Sequence, residues 1–171
     1  DHPISIRVKI FRETEGISFD FSASDDASRN SLNTVRAVTR SAVFYVLKTL
    51  IPGLPANDGG MKMVSLHTRA GSIVDAQYPS AVSSGNVETS QRIVDALFDA
   101  FAKVMPLLIP AESCGSMNNV LFGGTDTRAI PAHPFVHYET LGGGSGAGPN
   151  GDGLSGIHVH MTNTQNTPVE S

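Results

Sequence analysis

Two histidines near the end of the sequence are the pair best suited to catalysis or metal binding. His158 and His160 are separated by one residue within an alternating run, 157–162. Residues two apart on a β-strand project from the same face, so this run predicts a strand with two neighbouring imidazoles. Such a pair suits a shared metal ion, or a general base beside a polarising donor. The alternative is that both rings only satisfy buried hydrogen bonds.

A carboxylate upstream completes the predicted catalytic group. Glu139 follows His137 by two residues in a second alternating run, 135–140, and the two are predicted to share a strand face. We therefore predict that His158, His160 and Glu139 are catalytic. Two histidines are too few to close a metal site, so a metal ion would need extra ligands such as Glu139 or His137, and the spacing does not identify the metal.

Consecutive glycines lie between these two runs. Gly142, Gly143 and Gly144 have no Cβ, so their backbone N–H groups can converge on an anion or a carbonyl oxygen. No Lys-Ser/Thr pair and no helix pattern follow, which excludes a Walker A loop and a dinucleotide-binding fingerprint. The other interpretation is a flexible or tightly turned connection.

Polar side chains at turns and at a helix start are candidates for substrate binding. Asn86 and Glu88 begin a helix pattern, where free backbone donors can hold an anion and where ordinary capping is the alternative. Including the glycines, the predicted substrate-binding set is Asn86, Glu88, Asn118, Asn119, Gly142, Gly143, Gly144 and Asn163. The single Cys114 has no evident base beside it, and such a thiol is usually inert.

The sequence patterns around these residues predict an α+β fold. Alternating apolar residues at 4–10 and 17–21 around a turn at 13–16 predict a β-hairpin. Apolar stripes at helical spacing predict two amphipathic helices, over 35–50 and from about residue 85 to 105, with a short strand at 63–68 between them. The remaining half is a Gly-rich strand-and-loop region. We predict one domain over residues 1–171.

Composition excludes several classes of function. The 171 residues carry a formal net charge of −4 and are 40% hydrophobic, so they can bury a core but offer no basic surface for nucleic acid. No apolar run is long enough to cross a membrane. One cysteine excludes an internal disulfide and suits a reducing compartment, which predicts a cytoplasmic protein.

Four blocks together resemble the hydantoinase B/5-oxoprolinase family. They are Gly-Asn-Val-Glu-Thr-Ser-Gln-Arg at 85–92, Gly-Ser-Met-Asn-Asn at 115–119, Tyr-Glu-Thr-Leu-Gly-Gly-Gly at 138–144 and His-Val-His-Met-Thr-Asn-Thr at 158–164. Their order and approximate spacing match the family over nearly the whole chain. The resemblance implies the C-terminal portion of a longer N-methylhydantoinase B-type subunit.

The resemblance also implies an activity and a partner. B-type chains of the family work with a hydantoinase A-type subunit that binds ATP, and the assembly opens cyclic amides such as hydantoin, N-methylhydantoin or 5-oxoproline. The family's metal ligands lie mainly in an N-terminal half that has no counterpart among these residues. A divalent metal is therefore compatible with the family but assigned to no residue here, and the isolated chain is expected to be inactive.

Two alternatives stay open at this point. Related assemblies on the same scaffold carboxylate ketones such as acetone or acetophenone, and the four blocks do not separate a hydrolase from a carboxylase. A non-catalytic role is the second alternative, in which the Gly-rich half is a surface for docking between subunits.

Overall fold

The computed structural model describes residues 3–128 and 130–164. Its strands are β1 (Lys9–Glu13), β2 (Gly16–Asp20), β3 (Val64–His67), β4 (Asn118–Asp126) and β5 (His133–Leu141), and its α-helices are α1 (Arg36–Leu50) and α2 (Ser90–Ala102). A short 3₁₀ turn covers Asp58–Met61, and one wider π-helical turn, Gly85–Thr89, leads into α2. The predicted α+β class, with its N-terminal hairpin and two helices, is confirmed.

The first layer is a three-stranded sheet in the order β1-β2-β3. β1 and β2 are antiparallel, and Glu13 pairs with Gly16 across a two-residue turn, as the sequence predicts. β3 runs parallel to β2. The connection between them, which contains α1, therefore crosses over the sheet so that β3 begins at the same end as β2. This arrangement places α1 against the sheet and brings α2 in beside it.

One buried cluster joins the sheet to both helices. Phe19 and Phe21 from the β2 region are fully buried, and the Phe19 ring meets that of Phe101 edge to face. The helices contribute the middle of each predicted stripe, which comprises Ala42, Val43, Val46 and Leu47 from α1 and Ile93, Val94, Leu97 and Phe98 from α2. The core therefore forms where the 3.6-residue periodicity is strongest.

Two predicted boundaries and one predicted strand are wrong. The first ladder begins at Lys9 rather than Ile4, because residues 5–7 bond to the loop at 24–25 instead of to a strand. α2 ends at Ala102, so Val104 does not extend its buried stripe and is exposed. No strand forms over 157–162.

The second layer is a two-stranded ribbon formed by β4 and β5. The strands pair antiparallel from Asn118↔Leu141 to Asp126↔His133, which confirms the strand predicted around 135–140. Apolar side chains lie exposed on both faces of this ribbon, with Leu121 68% exposed on one face and Phe122 53% exposed on the other. A ribbon of two strands buries little apolar area by itself, so its apolar faces are unusual for a free surface.

Acid is expected to release the N-terminal segment from the body of the fold. The Asp25 carboxylate accepts hydrogen bonds from the backbone N–H of Ser5 at 2.8 Å and from the Arg7 guanidinium at 2.6 Å. The Ser5 bond, followed by the Arg7 bond, holds the pKa of Asp25 below its ordinary value of 3.8. A lowered pKa means that this stabilisation is complete above the ordinary value and is lost as pH falls through the lowered one. The protection factor of the Ser5 amide, the ratio of the unprotected exchange rate to the observed rate at the same pH, should therefore fall at low pH.

Asp25→Asn tests that expectation. The variant should show a low Ser5 protection factor at neutral pH with little further change on acidification, whereas Asp152→Asn, which changes an exposed carboxylate elsewhere, should behave as the original chain. Equal acid dependence of Ser5 exchange in the original chain and in Asp25→Asn would contradict it.

Candidate functional site

A buried carboxylate on α2 is the centre of the candidate site. Asp95 is only 4% exposed, and its Oδ1 accepts from the backbone N–H and the hydroxyl of Ser113, at 3.4 and 3.3 Å. The Nε2 of His160 lies 3.5 Å from the same oxygen. An imidazole beside a buried carboxylate is oriented by it.

Aromatic rings hold His160 in place. Its ring centroid lies 5.4 Å from that of Phe98 and 5.9 Å from that of Tyr45, and the side chain is 13% exposed. The Tyr45 hydroxyl is 3.4 Å from His160 Nδ1, which completes a chain from phenol to imidazole to carboxylate. Burial raises the pKa of Tyr45, so the phenol stays protonated at neutral pH.

The predicted geometry of the two histidines is wrong. Residues 157–162 are not a strand, and His160 has a φ of 56°, in the left-handed region. The period-two rule therefore does not apply, and it gives no common face for the rings. Nδ1 of His158 is buried and accepts or donates no hydrogen bond within the described residues. Catalytic roles for His158 and His160 stay predictions.

A glutamine fastens the segment that carries these histidines. Gln91 is fully buried, and its Nε2 donates to the Val159 carbonyl at 3.2 Å and to the Thr162 hydroxyl at 2.7 Å. Its Oε1 accepts from the backbone N–H of Met161 at 3.0 Å. Three bonds from one side chain thus replace the ladder that a strand would have supplied.

Glu139 lies on the ribbon. Its carboxylate is 3.3 Å from His137 Nε2, so the predicted same-face pairing of these two residues is confirmed. Both side chains are about half exposed. The Glu139 contact that the structure gives is with His137, and its proposed partnership with His158 and His160 stays a prediction.

The predicted polar binders separate into two small networks. Ser116 links the first, because its hydroxyl donates to Glu88 Oε1 at 2.8 Å and lies 3.4 Å from Asn118 Oδ1. In the second, Asn119 Oδ1 accepts from the hydroxyls of Tyr138 and Thr140, at 2.9 and 2.8 Å. The first network borders the larger cavity described below, and the second ties β4 to β5.

The Gly-rich segment packs closely against two other backbones. The N–H of Gly144 donates to the Ile157 carbonyl at 3.1 Å, so that donor is already used. A Cβ at Gly142 would overlap the Gly156 carbonyl, and one at Gly143 would overlap the Cys114 side chain. Close approach explains these glycines without a ligand, and binding by Gly142, Gly143 and Gly144 stays a prediction.

The remaining candidates are on the surface. Asn86 is exposed on the π-helical turn, and its carbonyl accepts from the Ser90 hydroxyl at 2.7 Å. Asn163 is exposed near the end of the described residues. Cys114 is exposed, and its thiol donates to the Ser116 carbonyl at 3.3 Å.

Two cavities adjoin Asp95. One of about 610 Å³ lies between α2 and the N-terminal segment and is lined by Glu88, Arg92, Asp95, Asp99 and Glu112 together with apolar residues. A smaller one of about 180 Å³ shares Asp95, Asp99 and Glu112 and adds His160. The candidate site is therefore a carboxylate-rich hollow along one face of α2.

Residues 3–128 and 130–164 contain no group of three or more His, Cys, Asp or Glu side chains arranged to hold a metal ion. They also contain no helix with the length and apolarity needed to span a bilayer.

Sequence reasoning missed Asp95, Tyr45, Ser113 and the clamping role of Gln91. A signal for two of them is present in α2, where Gln91 and Asp95 are four residues apart and lie immediately beside the apolar stripe. A polar pair at that spacing next to a core face is typical of a buried polar contact. Tyr45 and Ser113 carry no comparable local signal, since their partners are distant in the chain.

Solved structures with a similar fold are ATP-dependent enzymes. An ATP-dependent caprolactamase from Pseudomonas jessenii superposes with a TM-score of 0.71 at 20% identity, covering 89% of this chain and 26% of that one. A nucleotide-free acetone carboxylase gives 0.68 at 18% identity, covering 90% and 21%. At these identities the likeness establishes the fold.

Sequence comparison establishes the family. Residues 1–171 match the hydantoinase B/oxoprolinase family, and 5-oxoprolinase 1 of Arabidopsis thaliana is 39% identical over 168 residues. The chain thus belongs to the hydantoinase B/oxoprolinase family. The match covers 98% of this chain but 12% of the plant protein, so the chain spans about one-eighth of that relative.

Proposed function

We propose that the chain forms the C-terminal part of the B-type subunit of an ATP-dependent enzyme that opens cyclic amides, such as 5-oxoproline or a hydantoin. The observation that carries the proposal is 39% identity to a 5-oxoprolinase over 98% of the chain. ATP is bound by a hydantoinase A-type subunit, and the active site is shared between chains in the cytoplasm. The isolated chain is then inactive.

ATP has a clear chemical purpose in this proposal. An amide resists attack because its nitrogen lone pair is delocalised into the carbonyl. Transfer of a phosphoryl group to the amide oxygen removes that resonance and makes the carbon a better electrophile. The chain's own part is to orient the ring and to move protons beside it.

His160 is the residue best placed to move a proton. It borders the smaller cavity and is held between Tyr45 and the Asp95 carboxylate, so Asp95 is a positioning residue for the imidazole. His158 and Glu139 complete the proposed catalytic group. The substrate-binding set remains as proposed above, with Glu88 and Asn118 joined through Ser116.

The complete B-type subunit assembled with its A-type partner provides the test. ATP-dependent release of glutamate from 5-oxoproline, or of the N-carbamoyl amino acid from hydantoin, supports the hydrolase. The fold shared with acetone carboxylase makes a carboxylase the competing activity, and incorporation of labelled bicarbonate into acetone with no ring opening would replace the first proposal by the second.

His160→Ala is expected to reduce kcat of the assembled enzyme by about 100-fold or more, since removal of an acid–base group has effects of that order. His133→Ala is the matched control, because that histidine is exposed at the end of the ribbon. Unchanged turnover with normal assembly would remove His160 from the catalytic group.

The exposed ribbon favours a docking role as a second function. Its apolar side chains are presented on both faces, including Leu121, Tyr138 and Val136 on one face and Phe122 and Phe135 on the other. A face of this composition is stabilised when a partner excludes water from it. We propose that the A-type subunit is that partner.

Leu121→Ser together with Val136→Ser is expected to weaken assembly with the A-type subunit at least tenfold, with little effect on the melting temperature of the chain. Both side chains are already in water when the chain is alone, so the loss appears only on assembly. Leu107→Ser is the control, since Leu107 is 77% exposed but lies outside the ribbon. Equal affinity of the double variant and the control, measured by sedimentation, would contradict the docking role.

A further inference from the structure

The smaller cavity beside α2 combines carboxylates with apolar walls. Its polar lining consists of Asp95, Asp99, Glu112 and His160. Phe98, Ala102, Pro110 and Ala111 form the rest. One of the carboxylates already has a cationic partner, because Lys103 Nζ lies 3.3 Å from Asp99 Oδ2. The cavity volume of about 180 Å³ equals that of about six water molecules at ~30 Å³ each, enough for a short organic molecule.

Asp95 has unused bonding capacity at this cavity. Oδ1 is engaged by Ser113 and His160, whereas Oδ2 is buried and accepts no hydrogen bond from the described residues. The Arg92 Nη1 lies 3.8 Å from Oδ2, beyond hydrogen-bonding distance. A buried carboxylate oxygen without a donor is costly, so a donor with positive charge would stabilise it strongly.

We propose that this cavity binds a primary ammonium group carried on a short apolar chain. Arg92 and Lys103 each offset one of the three carboxylates, so the cluster keeps one net negative charge that attracts the cation. Asp95 accepts its hydrogen bonds after a small side-chain rotation, while the apolar walls cover the chain. A strongly hydrated metal ion fits less well, because the carboxylates are not arranged as a ligand set and half of the wall offers no oxygen.

Such a ligand is also the product class of the proposed reaction. Resting on the proposed function, the inference is that this cavity receives the ammonium end released when a lactam such as 5-oxoproline is opened; a hydantoin ring would leave a neutral ureido group instead. The neighbouring larger cavity contributes Arg92, which can pair with the carboxylate end of the same molecule. The site would thus recognise short amino acids by their ammonium end.

Binding to the full chain is measurable without turnover. Butylammonium and 4-aminobutyrate should shift the amide resonances of Asp95 and Ala111, whereas butanol and sodium ions at equal ionic strength should not. Asp95→Asn should weaken butylammonium binding at least tenfold, and Asp152→Asn, an exposed control outside the cavity, should leave it unchanged. Ala111→Leu, which fills the cavity from a surface position, should weaken binding if Asp95→Asn fails to fold.

Three results would overturn the inference: equal binding of butanol, equal shifts with sodium, or equal butylammonium affinity in the original chain and Ala111→Leu. Because the titration needs neither ATP nor the A-type subunit, its failure is separate from the failure of the ring-opening assay.

Discussion

Replacing Asn33 by aspartate is expected to destabilise the chain by about 3 kcal/mol or more. Asn33 is fully buried, and its Nδ2 donates to the carbonyls of Ser28, Asn30 and Ala81, each at 2.9 Å, while Oδ1 accepts from the Ser28 N–H at 2.6 Å. A carboxylate of the same shape cannot donate, so it would place a buried negative charge against three carbonyl oxygens.

The loss should appear as a drop in Tm of about 10 °C, because a change of 1 kcal/mol shifts the Tm of a domain of this size by ~2–4 °C. Asn30→Asp is the matched control. That side chain is exposed, and its Oδ1 accepts from the Leu32 N–H, a role that a carboxylate performs equally well. Equal melting temperatures of the two variants would show that Asn33 does not hold these loops together.

The contact with Asn33 also explains the glycine at the start of block 85–92. Gly85 packs on the Asn33 carbonyl so closely that a Cβ there would overlap it. The hydroxyls of Ser31 and Ser84 meet at 2.8 Å beside this contact. The loop that precedes α1 is thus joined to the turn that precedes α2.

The regular elements could be predicted because their signals are local. The hairpin turn at 13–16 and the stripes of both helices depend on residue spacing within a few turns, and the structure confirms them. Residue spacing predicts the wrong structure for the C-terminal segment. Residues 157–162 alternate as a strand would, but no neighbouring strand edge pairs with them, and side-chain bonds to Gln91 fix them instead.

The candidate site was only partly predictable for the same reason. His160 was identifiable by type and spacing, whereas its partners Tyr45 and Asp95 are 115 and 65 positions away in the chain. Helical spacing predicts which face a residue occupies but not which distant segment covers that face. Block 85–92 is a junction of the fold, because Glu88, Thr89 and Gln91 each hydrogen-bond a different distant segment, at Ser116, Leu32 and Val159.

Gln91→Glu is expected to release the segment that carries both histidines while leaving the core folded. The change keeps an acceptor for the Met161 N–H but removes the donors to Val159 and Thr162, and it adds a buried charge one turn from Asp95. The free energy that closes this segment should fall by about 3 kcal/mol. Amide exchange at 159–162 should then accelerate about 100-fold, with far smaller changes in α1.

The same variant separates a positioned His160 from a merely nearby one. If the imidazole must be held against Asp95, kcat of the assembled enzyme should fall in Gln91→Glu almost as far as in His160→Ala, because the ring leaves the cavity when the segment opens. Gln77→Glu, the same substitution at an exposed glutamine, should change neither exchange nor turnover. Fast exchange at 159–162 with undiminished kcat would mean that the reaction does not use this segment, and the proposed role of His160 would fail with it.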